Sequence, residues 1–153
     1  MSLRDFSGWC ALPSSLDFAS TQESSLRCVA VNSDGRLAAT GSLEGIVYLW
    51  DLSAKQRIGI PMTHAGEINA ILFSKDSDKL LTACSDGFIR RWDVMTQQLM
   101  GEPLSHVVDA RRSNLPPKRA GVRGLALSPD GAILASAAGR EVRLWDMQSG
   151  EQM

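Results

Sequence analysis

The sequence predicts an all-β chain assembled from three copies of one antiparallel unit. Two observations carry that expectation. Trp50-Asp51, Trp92-Asp93 and Trp145-Asp146 each close a segment of the same layout, and no stretch shows a sustained 3.6-residue apolar period. The first copy reads Val31-Asn-Ser-Asp-Gly-Arg-Leu-Ala-Ala-Thr40 and then Ile46-Val-Tyr-Leu-Trp-Asp51. The second reads Phe73-Ser-Lys-Asp-Ser-Asp-Lys-Leu-Leu-Thr82 and then Phe88-Ile-Arg-Arg-Trp-Asp93. The third reads Leu127-Ser-Pro-Asp-Gly-Ala-Ile-Leu-Ala-Ser136 and then Glu141-Val-Arg-Leu-Trp-Asp146. Self-similarity at a period near 40 residues marks a repeat architecture.

Residues 1–20 stay unassigned, and Trp9-Cys10 falls outside the repeat register. From residue 21 each copy reads as four strands. The first alternates, as in Leu26–Val31, Ile68–Phe73 and Val122–Leu127. Asp34-Gly35 and Asp130-Gly131 supply the positive φ of a tight hairpin, with Asp76-Ser77-Asp78 as a weaker version. The second strand is apolar and small, Leu80–Cys84 and Ile133–Ala137, and the third ends in Trp-Asp. The fourth is expected over Gln56–Gly59 and Gln97–Gly101, with Pro61 and Pro103 ending it. The units then span about 21–60, 61–102 and 103–153. Trp50 lies 42 residues before Trp92, but Trp92 lies 53 before Trp145. An insertion over 107–119 and a one-residue shorter turn after Ser136 account for the difference.

Composition narrows the function classes. Across 153 residues, 16 basic and 17 acidic side chains leave a net charge of −1, unlike a basic nucleic-acid coat or an acidic disordered tail. No apolar run approaches the roughly 18 residues of a membrane span, and the first residues do not read as a signal peptide. Cys10, Cys28 and Cys84 are odd in number and widely spaced, which fits neither a disulfide framework nor a zinc site. An intracellular setting, cytoplasmic or nuclear, is therefore expected.

The three Trp-Asp frames resemble the WD-repeat (WD40) family of β-propellers, from about Thr21 to Met153. The resemblance implies a partial β-propeller of three four-stranded blades. It also implies a hydrogen-bonded tetrad within each blade. In the second copy Trp92 would donate to Thr82, Thr82 to one nitrogen of His64, and the other nitrogen would reach Asp86. The first copy keeps Thr40 and Trp50 but has Glu44 at the acid position and Gln22 at the histidine position. The third keeps Ser136 and Trp145, has Gly139 or Arg140 at the acid position, and His106 is expected to be displaced by the insertion.

Thr82, His64 and Asp86 have the residue types of a nucleophilic triad, yet the hydroxyl falls mid-strand and no Gly-x-Ser-x-Gly elbow occurs. A non-catalytic protein–protein interaction scaffold without cofactor or metal is the expected function. Candidate contacts are Ala65, Gly66, Glu67 and Ser85 on the turns, together with the basic Arg111, Arg112, Lys118, Arg119 and Arg123. That basic loop is either a solvated surface or a site for an acidic or phosphorylated partner or RNA. The absence of an aromatic residue to stack a base counts against nucleic acid, and steep salt dependence would mark the charge-driven reading. Arg90, Arg91 and Arg143 are expected to point outward, and Tyr48 and the methionines to pack. The segments Ile60-Pro-Met-Thr-His64 and Glu102-Pro-Leu-Ser-His106 resemble linkers of long arrays in multidomain signalling NTPases, so a sensor fragment of a larger protein is the alternative. Three blades are too few to close a ring. Self-association or further blades are therefore expected, with open faces near Val29, Val31 and Val47 and near Leu125, Leu134 and Val142.

Overall fold

A computed structural model describes residues 25–106 and 120–153, and among these all regular structure is β. The strands are β1 (Leu26–Val31), β2 (Leu37–Ser42), β3 (Ile46–Asp51), β4 (Gln56–Thr63), β5 (Ile68–Phe73), β6 (Lys79–Cys84), β7 (Phe88–Asp93), β8 (Leu104–Ser105), β9 (Val122–Leu127), β10 (Ile133–Ala138) and β11 (Glu141–Asp146). They form three antiparallel meanders, β1-β2-β3-β4, β5-β6-β7-β8 and β9-β10-β11.

The hairpins follow from the turn residues. Gly35 and Gly131 take φ of 71° and 80°, while Asp34 and Asp130 accept backbone N–H groups two residues on. Ser77 occupies the same left-handed position at φ 60°, a conformation costly for any residue with a Cβ. Its hydroxyl lies 3.2 Å from the Ser33 hydroxyl on the neighbouring turn, so the strained turn is tied to the first blade.

The outermost strands differ from expectation. β4 does not stop at Pro61 but runs on to Thr63, past the expected boundary at 60. A register shift opposite Tyr48 lifts Gly59, Ile60 and Pro61 out of the ladder, and a proline is tolerated at such a bulge because it has no N–H to pair. In the second sheet Gln97–Gly101 makes one isolated bridge, Trp92 to Leu99. The fourth strand is instead the short β8 beyond Pro103, so this sheet continues past 102. The third sheet has three strands rather than four, with a single bridge from Trp145 to Gln152.

Cross-strand register fixes which side chains share a face. On the first sheet Val29, Thr40 and Tyr48 align, as do Val31, Ala38 and Trp50. The opposite face carries Cys28, Gly41, Val47 and Met62 with Ala30, Ala39, Leu49 and Ile58. That second face packs on Ile71, Leu80 and Phe73 of the second sheet. The second sheet's reverse, with Leu81, Ala83, Ile89 and Leu104, packs on Leu134, Val122 and Trp145 of the third. Val47 is therefore interior rather than at the open end, and so are Leu125 and Leu134. The open faces hold Val29 and Val31, 67 % and 56 % exposed, and Val142 and Leu144, 70 % and 44 % exposed.

Candidate functional site

Two features of the fold can carry function: a polar chain that links neighbouring blades, and the turns at the two ends of the sheets. The polar chain begins at Trp92, whose indole Nε1–H donates to Thr82 Oγ1 at 3.0 Å. Thr82, fully buried in β6, lies 2.8 Å from His64 Nε2. His64 Nδ1 lies 3.2 Å from the Gly45 carbonyl, which can only accept, so Nδ1 carries the proton and Nε2 accepts from Thr82. Burial, followed by the positive charge of Arg90, pushes the His64 pKa down to about 4, which keeps the ring neutral.

The third bond of the expected tetrad is corrected. Asp86 does not take the second His64 nitrogen. It pairs with Arg90 Nη2 at 2.7 Å and accepts the Phe88 N–H at 3.1 Å. Burial would raise the Asp86 pKa, but the Arg90 hydrogen bond and the neighbouring donors outweigh it and the pKa is lowered. Asp86 thereby neutralises a guanidinium held against the sheet, since both side chains are largely buried. His64 instead reaches across to the first blade, where Gly45 accepts both its ring N–H and its backbone N–H. Gly45 needs to be glycine: its φ is 82°, and a Cβ would lie 2.6 Å from the Gly66 carbonyl.

The insertion does not displace His106. Its Nε2 lies 2.5 Å from Ser136 Oγ, which also accepts from Trp145 Nε1 at 2.7 Å. The third blade therefore repeats the histidine–hydroxyl–tryptophan chain with serine. His106 precedes the insertion and is held by its backbone N–H on the Gly87 carbonyl. Burial, then Arg143, lowers its pKa as well. In the first blade Trp50 donates to Thr40 at 2.9 Å. Glu44 is exposed and so are Gly139 and Arg140.

The turns after the fourth and second strands crowd together at one end. Ala65 and Glu67 are exposed there, and Glu67 faces Arg27 at 3.6 Å across two half-exposed side chains, a contact of little energetic weight. Ser85 is less available than expected. A Cβ on Gly66 would lie 2.4 Å from its hydroxyl, and one on Gly121 would lie 3.0 Å from its backbone. Arg123 is exposed on β9. Arg111, Arg112, Lys118 and Arg119 lie outside the described residues, as do Gln22, Trp9 and Cys10.

Arg90, Arg91 and Arg143 are half-buried rather than outward residues. Arg143 sits against the second blade, donating to the Ser105 carbonyl at 2.9 Å and to Glu141 at 3.2 Å. Arg91 lies between the second and third sheets. Reasoning from the repeat frame missed it, although a signal was present: Leu49 and Leu144 occupy the same place before their tryptophans. Gln97 was missed too. Its Oε1 accepts the Ile60 N–H at 2.6 Å, so one blade satisfies the amide that the bulge of its neighbour leaves unpaired. Tyr48 packs under Arg57, 4.8 Å from its ring centre, and Met62 is buried while Met95 stands in solvent.

Comparison with known families agrees with this frame. The family model described as WD domain, G-beta repeat matches residues 14–51, 56–93 and 112–146, more than half of the chain. No curated protein matches it. Repeats of this kind generally mediate protein–protein interaction. With three matched repeats, three antiparallel sheets and the shared hydroxyl–tryptophan pair, the chain belongs to the WD-repeat family.

Proposed function

We propose that the chain is a non-catalytic interaction scaffold whose two open blade faces join copies of the chain head to tail. The observation that supports it is the register of those faces. Val29 and Val31 hold the positions that Ile71 and Phe73 hold in the second sheet, where they pack on the first sheet. Val142 and Leu144 hold the positions of Val47 and Leu49, which are 0 % and 1 % exposed against the second sheet. One open face is thus the counterpart of the other, and a second copy continues an interface the molecule already makes twice. Such an interface is heterologous, and it forms a ring if the rotation closes. Two copies would bring six sheets together, within the roughly 4–8 blades of propellers. The Thr82 hydroxyl, buried and bonded to Trp92 and His64, is no exposed nucleophile, which favours scaffolding over catalysis. The unpaired thiols of Cys28 and Cys84 favour an intracellular, reducing setting.

Light scattering during gel filtration tests this reading. The parent chain is expected above monomer mass, and Val29→Glu and Val142→Glu each to reduce that mass. Mixing the two variants should restore a dimer, because each retains the face the other lost. A parent that stays a cooperatively melting monomer at high micromolar concentration would falsify the reading.

A further inference from the structure

The junction between the second and third sheets holds a guanidinium where the repeat calls for an aliphatic side chain. Arg91 stands on β7, on the face that carries Leu72 and Leu81, at the place of Leu49 and Leu144. Its Nε is buried and makes no hydrogen bond, and among the described residues the side chain has no acidic partner. Room for it comes from two glycines. A Cβ on Gly150 would lie 2.9 Å from Nη2, and one on Gly101 3.2 Å from it. Gly150 stands at the place where the second blade has Gln97, the side chain that seals the first junction. The absence of that plug leaves a cleft of about 210 Å³ lined by Lys79, Arg91, Met100, Gly101, Met147 and Gln148.

A buried donor with no partner is costly, and a guanidinium is shaped to take a carboxylate on two parallel N–H groups. We propose that this cleft is a binding site for a single acidic side chain of a peptide partner. The carboxylate would sit on Arg91, with Lys79 at the rim and the methylenes of the ligand on Met100 and Met147. The adjoining cleft limits the charge that fits, because Lys79 is followed there by Asp130 and Asp146. A second negative group would meet those carboxylates, so the site selects an isolated acidic residue over a polyanion. It lies at the end of the sheets that carries the first and third turns of each blade, opposite Glu67 and Ser85. The inference rests on the scaffold reading only for the choice of a peptide as ligand.

The test uses the whole chain and N-acetyl-glutamate methylamide as probe, following the backbone amide signals of Gly101 and Gly150, which border the guanidinium and persist in every variant, by nuclear magnetic resonance at low salt. A saturable shift is expected, weakened at least about tenfold in Arg91→Leu, with the isosteric glutamine probe inert. Arg91→Leu restores the residue of the other two blades, so it is expected to fold and to melt no lower than the parent; Arg91→Gln is the second variant should it not. A shift that fails to saturate, or that survives in both variants, overturns the proposal. So does an Arg91→Leu chain melting well below the parent, because Arg91 would then be a packing element. Gel filtration of the same samples reports the head-to-tail assembly separately, so failure of one does not pass for failure of the other.

Discussion

The two blade junctions share one register and differ in how they are closed. At the first, Leu49 packs in the core, Gln97 reaches from the second blade to the bulge at Gly59 and Ile60, and His64 ties Thr82 to Gly45. At the second, Arg91 replaces the leucine, Gly150 replaces the glutamine, and a cleft remains. Both keep the histidine–hydroxyl–tryptophan chain and a full set of small and branched core residues. A repeat frame thus specifies how blades stack, while the residues it leaves unspecified decide whether a junction is sealed or open.

Breaking the sealed junction gives the largest effect. Leu80→Ala should cost about 2–5 kcal/mol in urea unfolding, and Leu134→Ala at the open junction should fall at the lower end of that range. Equal costs would mean that the cleft does not relax the second junction. Gly45→Ala should cost about 1–3 kcal/mol, from a forbidden φ and the collision with the Gly66 carbonyl. Gly139→Ala, at φ 59° with its nearest neighbour the Ala120 methyl at 3.3 Å, should cost less. His64→Ala should cost about 1–3 kcal/mol by leaving the Thr82 hydroxyl and the Gly45 carbonyl without the ring. A melt that superimposes on the parent would remove the polar chain from the account.

Acid titration sharpens the same contrast. His64 has a folded pKa of about 4, below its ordinary value of 6.5, so the unfolded chain binds the proton first as pH falls. The stability tied to neutral His64 is fully present above pH 6.5 and is lost as pH falls toward 4, by at most about 1.4 kcal/mol per pH unit. His106 acts in the same direction, and the part of the slope due to His64 should vanish in His64→Ala. The smallest effect belongs to Gln97→Ala, about 0.5–1.5 kcal/mol, since the Ile60 N–H it abandons can turn to water.

The Trp-Asp frame made the three sheets legible because those residues build the buried faces that every blade must share. The tryptophan–hydroxyl pairs followed for the same reason, since a buried indole N–H needs an acceptor close by in the register. Strand ends were less legible: prolines read as terminators at 61 and 103 instead sit at a bulge and before a strand. The fate of Asp86 was hidden because two partners compete for it, and Arg90, four residues on and across the sheet face, is charged where His64 is not. Alternation gives two faces but not which neighbour each will meet, so Val47 and Leu134 read as open-end residues in the sequence although both are interior.

The bulge at Gly59, Ile60 and Pro61 makes the outer border of the first sheet a poor template for another strand. It bends the long outer strand of the first sheet, the Ile60 amide is already taken by Gln97, and the proline offers none. A foreign extended segment aligned along that margin would find a broken row of donors, which is how natural sheets blunt their borders against fibril growth. On the proposed head-to-tail reading, contacts between copies would thereby be steered from the margins of the sheets to their flat faces, where the fit of side chains is selective and a ring would terminate growth.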